Sequence, residues 1–263
     1  MSEEGEASCF LAKRNALILG CDDFAFELPS RVRWARRILI KPCACYSLPY
    51  PVTTSRETLE KVILAIREVS EADIILLEGN PCQEQMKPIY RSLGYDFPRV
   101  LTLDVKDCVF VEVENPLVRP FALSTFWLPN VLLYCDYLIS ICPFKVLDKQ
   151  GDFTIKNLLS LLPVNRYKGQ DGSDWGVLHA FGMDKVIADL YFTLPFDLGI
   201  IDAQKKFIGT GDSGEGEAED YGKIFVGEPY EIDCEASRSA GLETEYLQWI
   251  EIAKTQIDDR WDG

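Results

Sequence analysis

Thr54-Ser-Arg-Glu57-Thr-Leu59-Glu-Lys-Val62-Ile63-Leu-Ala-Ile66-Arg-Glu-Val69 is followed, after Ser70-Glu-Ala72, by Asp73-Ile-Ile-Leu-Leu77. The first segment sets Leu59, Val62, Ile63, Ile66 and Val69 at helical spacing, one apolar face. Thr54 with Glu57 three residues on reads as a capping box at its start. The second segment is short, wholly apolar and stopped by Glu78-Gly79-Asn80-Pro81, the signature of a buried strand. Upstream, Arg37-Ile-Leu-Ile-Lys41 has the same character and stops at Lys41-Pro42. Strand, helix and strand make a βαβ unit, whose crossover is right-handed and whose strands are parallel. The expected fold class is therefore α/β: a mixed, largely parallel sheet with helices on both faces.

Working outward, Ala16–Gly20 reads as a first strand and Arg31–Arg37 as a short basic helix. Downstream, a helix is expected over Glu84–Leu93 and strands over Val100–Asp104 and Cys108–Val113. Residues 115–135 mix prolines and aromatics and fit either a lid or a β excursion. Leu138–Cys142 reads as a buried strand that stops at Pro143-Phe144-Lys145. Asp152–Leu162 reads as a helix with Asp152 as its N-cap. Tyr167–Ser173 is a polar loop, Met183–Tyr191 a helix, and Leu198–Ile201 a strand ending at Asp202. Residues 209–220 hold five carboxylates and four glycines with no basic residue, so 209–222 is expected to be a mobile acidic loop. A strand over Lys223–Val226 and helices from Ile232 and over Glu243–Ile257 complete the chain. Residues 1–12 read as a disordered tail and 13–263 as a single α/β domain.

Composition narrows the function classes. The 263 residues are 47% hydrophobic and carry a formal charge of −15, with one histidine, His179. Duplex nucleic-acid binding calls for a basic face, and the only dense basic cluster is Arg31, Arg33, Arg36 and Arg37. No apolar run approaches the roughly 18 residues of a membrane span. The acidic N-terminus lacks the basic start of a secretion signal, so a cytoplasmic protein with reduced thiols is expected. Its nine cysteines include no CxxC pair. Cys43, Cys45 and a remote cysteine such as Cys82 or Cys21 form a metal or iron–sulfur candidate, which would imply an electron-transfer role with a redox partner protein.

In α/β sheets, ligands bind beyond the carboxyl ends of the strands. On this reading Lys41, Glu78, Lys145 and Asp202 all stand there, and Lys156 and Asn157 open the next helix beside Thr154. Cations, a hydroxyl and an amide gathered at strand ends fit a pocket for a small anion such as a phosphate or carboxylate. Lys145, Lys156 and His179 are the candidates for catalysis, with His179 able to exchange a proton near neutral pH. Lys41, Cys43, Glu78, Thr154, Asn157, Asp202 and Asp233 are the candidates for holding the ligand. The plainer reading pairs the lysines with Asp148, Asp152 or Glu78 as solvated charges at loop edges, and makes the Thr53-Thr54 pair a helix cap. A third reading is a non-catalytic binding or scaffold protein.

The ordered set Lys41-Pro42, Thr53-Thr54, Glu78-Gly79, Asp136–Lys145, Thr154-Ile-Lys156-Asn157-Leu158, His179, Asp189-Leu190, Asp202-Ala203, Gly209–Gly214 and Asp233 resembles the domain of unknown function 362 family over roughly residues 15–240. The resemblance implies an α/β fold and a site built from these positions, with no assigned activity. Many members carry ferredoxin-type cysteine runs, which this sequence lacks. It also has Cys43 where the family usually has asparagine, and Asp212 where its glycine-rich turn usually has proline.

Overall fold

The computed structural model describes residues 16–20, 28–211 and 214–258. The tail expected at residues 1–12 lies outside the described residues. Ten strands are described: β1 (Ala16–Gly20), β2 (Arg37–Pro42), β3 (Asp73–Glu78), β4 (Val100–Asp104), β5 (Phe110–Glu114), β6 (Thr125–Pro129), β7 (Tyr137–Leu147), β8 (Gln150–Asp152), β9 (Leu198–Gly209) and β10 (Gly216–Gly227). The described α-helices are α1 (Arg56–Val69), α2 (Met86–Ser92), α3 (Gly176–Phe181), α4 (Met183–Thr193), α5 (Pro229–Ser239) and α6 (Glu245–Asp258).

Eight strands form one mixed sheet in the order β1-β10-β9-β7-β2-β3-β4, with β8 against β7. The run from β9 through β7, β2 and β3 to β4 is parallel, while β10, β1 and β8 are antiparallel to their neighbours. Side chains alternate between faces along each strand. Ile38, Ile40, Ile74, Leu76, Ile139 and Ile141 pack on α1 and α2. Leu39, Ile75, Leu77 and Leu138 pack on the opposite layer with α4 and α6. Helices thus cover both faces, and the α1 face predicted from the sequence buries Leu59, Val62, Ile63 and Ile66. Each such side chain contributes about 1.5–3 kcal/mol by leaving water.

Several boundaries differ from the expectation, each for a local reason. The helix α1 is capped by Ser55, whose hydroxyl accepts from Thr58 N, rather than by Thr54. The basic segment is a 3₁₀ turn over Ser30–Trp34. Strand β7 does not stop at Pro143 but runs 11 residues, to Leu147. Its ladder with β2 ends at Ile141, and its register with β9 shifts between Pro143 and Phe144. Proline, which lacks an amide hydrogen, therefore falls at a break in the ladder. Strand β9 likewise passes through Asp202 to Gly209. Asp152 is the last residue of β8, not a helix cap, and the following helix is a 3₁₀ turn over Lys156–Leu161. Asp148 and Lys149 connect β7 to β8 with φ of 51° and 66°, the left-handed pair that a two-residue hairpin turn requires. Residues 216–222, expected as acidic loop, are strand β10 and pair mostly with β9. Within 115–135, β6 pairs with β5 as a separate two-stranded sheet, the β excursion. No helix among the described residues is long and apolar enough to cross a membrane.

Candidate functional site

Lys41 lies on β2 with no solvent exposure. Its ammonium donates to Pro42 O at 2.8 Å, Glu78 Oε2 at 2.9 Å and Asn157 Oδ1 at 2.9 Å. All three of its hydrogens are therefore engaged inside the protein. Glu78, at the end of β3, also accepts from Ala44 N at 2.8 Å and Gly79 N at 2.9 Å, and from the Ser160 hydroxyl. Gly79 is needed for this approach: a Cβ there would meet Ser160 O at 2.3 Å. Asn157 returns its amide hydrogens to Lys41 O at 3.2 Å and Ser140 Oγ at 3.1 Å. Ser140 in turn donates to Thr154 O at 2.8 Å. Thr154 then reaches Asp233, which accepts from its amide at 3.1 Å, its hydroxyl at 2.6 Å, Ile155 N at 3.0 Å and the Tyr246 hydroxyl at 3.0 Å. Burial raises the Asp233 carboxyl to about 7 against those hydrogen bonds. Glu78, Lys41, Asn157, Thr154 and Asp233 thus belong to one continuous buried network.

Lys145 occupies the outer half of β7. Its cross-strand neighbour in the hairpin is Asp152, and the two side chains pair at 2.8 Å with 12% and 13% exposure. Lys145 also donates to Cys43 Sγ at 3.4 Å. Burial alone would lower its ammonium, but Asp152 and then Cys43 overcome this and hold it well above the ordinary lysine value. Burial pushes the Asp152 carboxyl up, and Lys145, Lys156 and Lys41 together bring it below its usual range. Of the three, only Lys145 touches Asp152; Lys156 and Lys41 act on it through the field. Lys156, half-buried, also acts on Asp184. The Cys43 thiol is raised by burial, with Lys145 opposing, and Cys45 is raised further by burial and Glu78. Both are thiols rather than thiolates at neutral pH.

The remaining predicted residues lie apart. Asp202 accepts from the Thr58 hydroxyl at 2.5 Å and the Tyr50 hydroxyl at 3.0 Å, tying β9 to α1 and the loop before it. Thr54 is no helix cap: it accepts from Cys43 N at 2.8 Å and donates to Ile141 O at 2.9 Å, fastening β2 to β7 where their ladder ends. Thr53 donates to Leu48 O at 2.5 Å. His179 is exposed on α3, and among the described residues no hydrogen bond joins its ring to the lysines. Cys43 is buried, Cys45 half-buried and Cys82 exposed. Among the described residues no three His, Cys, Asp or Glu side chains gather in a metal-holding group. Ser140 and Ser160, which the sequence reading missed, close the network. Both sit in apolar runs that hide single hydroxyls from any periodicity argument. From the sequence Asp152 reads only as a counter-charge or cap, because the turn pair Asp148-Lys149 lacks the glycine that marks a two-residue hairpin.

A model of the family described as Domain of unknown function (DUF362) matches residues 38–238, about three quarters of the chain and every residue of the network except Tyr246. No curated protein matches the chain.

Proposed function

The chain belongs to the domain of unknown function 362 family, and on the geometry of its lysines we propose that it binds a small anionic molecule, a phosphate or a carboxylate, at Lys145. One observation carries the reading. Lys41 has all three ammonium hydrogens engaged and no exposure, whereas Lys145 keeps 12% exposure and, among the described residues, a donor beyond Asp152 and Cys43. Lys41 is therefore structural and Lys145 is the charge that a ligand meets, with Lys156 adding to the local field. The raised ammonium of Lys145 makes it an electrostatic anchor, since an amine nucleophile must first lose that proton. Against an overall charge of −15, an anion needs such a local concentration of cations. Buried protonated thiols beside the lysine fit a reducing, cytoplasmic setting.

The test is thermal unfolding and titration calorimetry with inorganic phosphate and a panel of small carboxylates. A ligand at about 100 times its Kd adds about 2.7 kcal/mol of stability. Lys145→Gln abolishes that gain while the variant stays folded, because the pair with Asp152 is partly solvated. The reading is lost if no anion stabilises the protein, or if stabilisation survives Lys145→Gln unchanged.

A further inference from the structure

Beyond the carboxyl ends of β3 and β4 opens a cleft of about 120 Å³ that Lys145, Lys156 and Cys43 do not line. We propose that this cleft is a second binding site, for an organic anion with an aromatic body. Its place is that of a ligand crevice in an α/β sheet, and its small volume suits a single ring with an anionic group. Its floor carries Ser160 and Asn80, each 7% exposed, so it reaches buried polar groups rather than resting on the surface. Trp175 and Phe110 supply aromatic wall.

The charge at the cleft favours an anion. Arg166 stacks its guanidinium over Trp127 at 4.1 Å from the ring centroid. Among the described residues its five donors have no hydrogen-bond partner, which leaves the edge of the fork available to a carboxylate or phosphate. Lys106 adds a second cation and uses one hydrogen on Gln83 O at 3.2 Å. Of the two carboxylates that line the cleft, Asp104 is occupied by Met86 N and Lys106 N, both at 2.9 Å. Glu84 and, at the rim, Asp174 also oppose the cations, so the anion is held by direct contact with Arg166 rather than by the net local field.

The backbone adds an independent sign. Gln83 and Trp175 line the cleft from opposite segments with φ of 59° and 53°, a conformation that costs non-glycine residues energy. Gln83 Nε2 donates at 3.3 Å to Asp174, the neighbour of Trp175, so the two strained positions are linked across the cleft. Strain held in this way presents the Trp175 ring as a fixed surface for stacking.

The experiment follows the Trp175 indole N–H by NMR, assigned with Trp175→Phe, during titration with phenyl phosphate, benzoate and inorganic phosphate. Phenyl phosphate is expected to shift that resonance, and inorganic phosphate to leave it nearly unmoved. Arg166→Gln weakens phenyl phosphate by about tenfold or more, the loss of a charge-assisted hydrogen bond. Lys106→Gln weakens it less and provides a second variant if the first is poorly folded. Lys145→Gln leaves this binding unchanged. An indole resonance that ignores saturating phenyl phosphate overturns the proposal. So does binding that Lys145→Gln removes and Arg166→Gln spares, an outcome that leaves the Lys145 site standing.

Discussion

Lys41 and Lys145 are the same residue type on adjacent parallel strands, yet their surroundings give them opposite roles. Lys41 sits among fixed acceptors in the core, and its ion pair with Glu78 at 2.9 Å has no exposure on either side. Removing one member of such a pair strands the other charge, at a cost of about 3–5 kcal/mol. Lys41→Met and Glu78→Gln are each expected to destabilise in that range, whereas the double variant costs clearly less than their sum. Urea unfolding of the three variants and the parent measures the coupling, and simple additivity contradicts it. Lys41, Glu78, Asn157 and Lys145 were all legible as strand-end or helix-start residues beside apolar runs. Their partners were less so, because a side chain's partner depends on cross-strand register. Lys145 meets Asp152 only because a two-residue turn folds β8 directly back on β7.

At the scale of elements, the apolar runs announced strands β2, β3, β7 and β9 and the amphipathic spacing announced α1 and α4. The lengths of β7 and β9 stayed hidden because their outer halves are polar and cross a proline or an aspartate, ordinary stop signals. The buried Asp233 joins the segment after β8 to α5 and, through Tyr246, to α6. Its carboxyl, raised by burial to about 7, binds its proton more tightly in the folded protein than in the unfolded chain. Below a pH of about 4 both states are protonated and it imposes no penalty. From about 4 to about 7 the unfolded chain loses the proton that the folded protein keeps, so stability falls as pH rises, by up to about 1.4 kcal/mol per unit, and then levels off. Asp233→Asn removes that slope while lowering stability by a constant amount through mismatched donors. Unfolding free energies of parent and variant across this window should converge as pH rises; parallel curves would sink the assignment.

For the whole molecule, a charge of −15 on 263 residues means that the compact state works against its own field. Raising salt from about 10 mM to about 150 mM shortens the screening length from about 30 Å to about 8 Å. The melting temperature is expected to rise over that interval in a non-binding salt such as sodium chloride. A flat or falling curve would mean that surface ion pairs outweigh the repulsion. Sheet order has a consequence in time as well. Among the described residues the neighbour of β1 is β10, with Ala16 opposite Gly227. On a ribosome adding roughly 5–20 residues per second, the first strand emerges about 10–40 s before its partner exists. Through that interval its hydrogen-bonding edge has nothing of its own to pair with. The sheet is therefore completed late, when β1 docks onto β10, a strand made long after it.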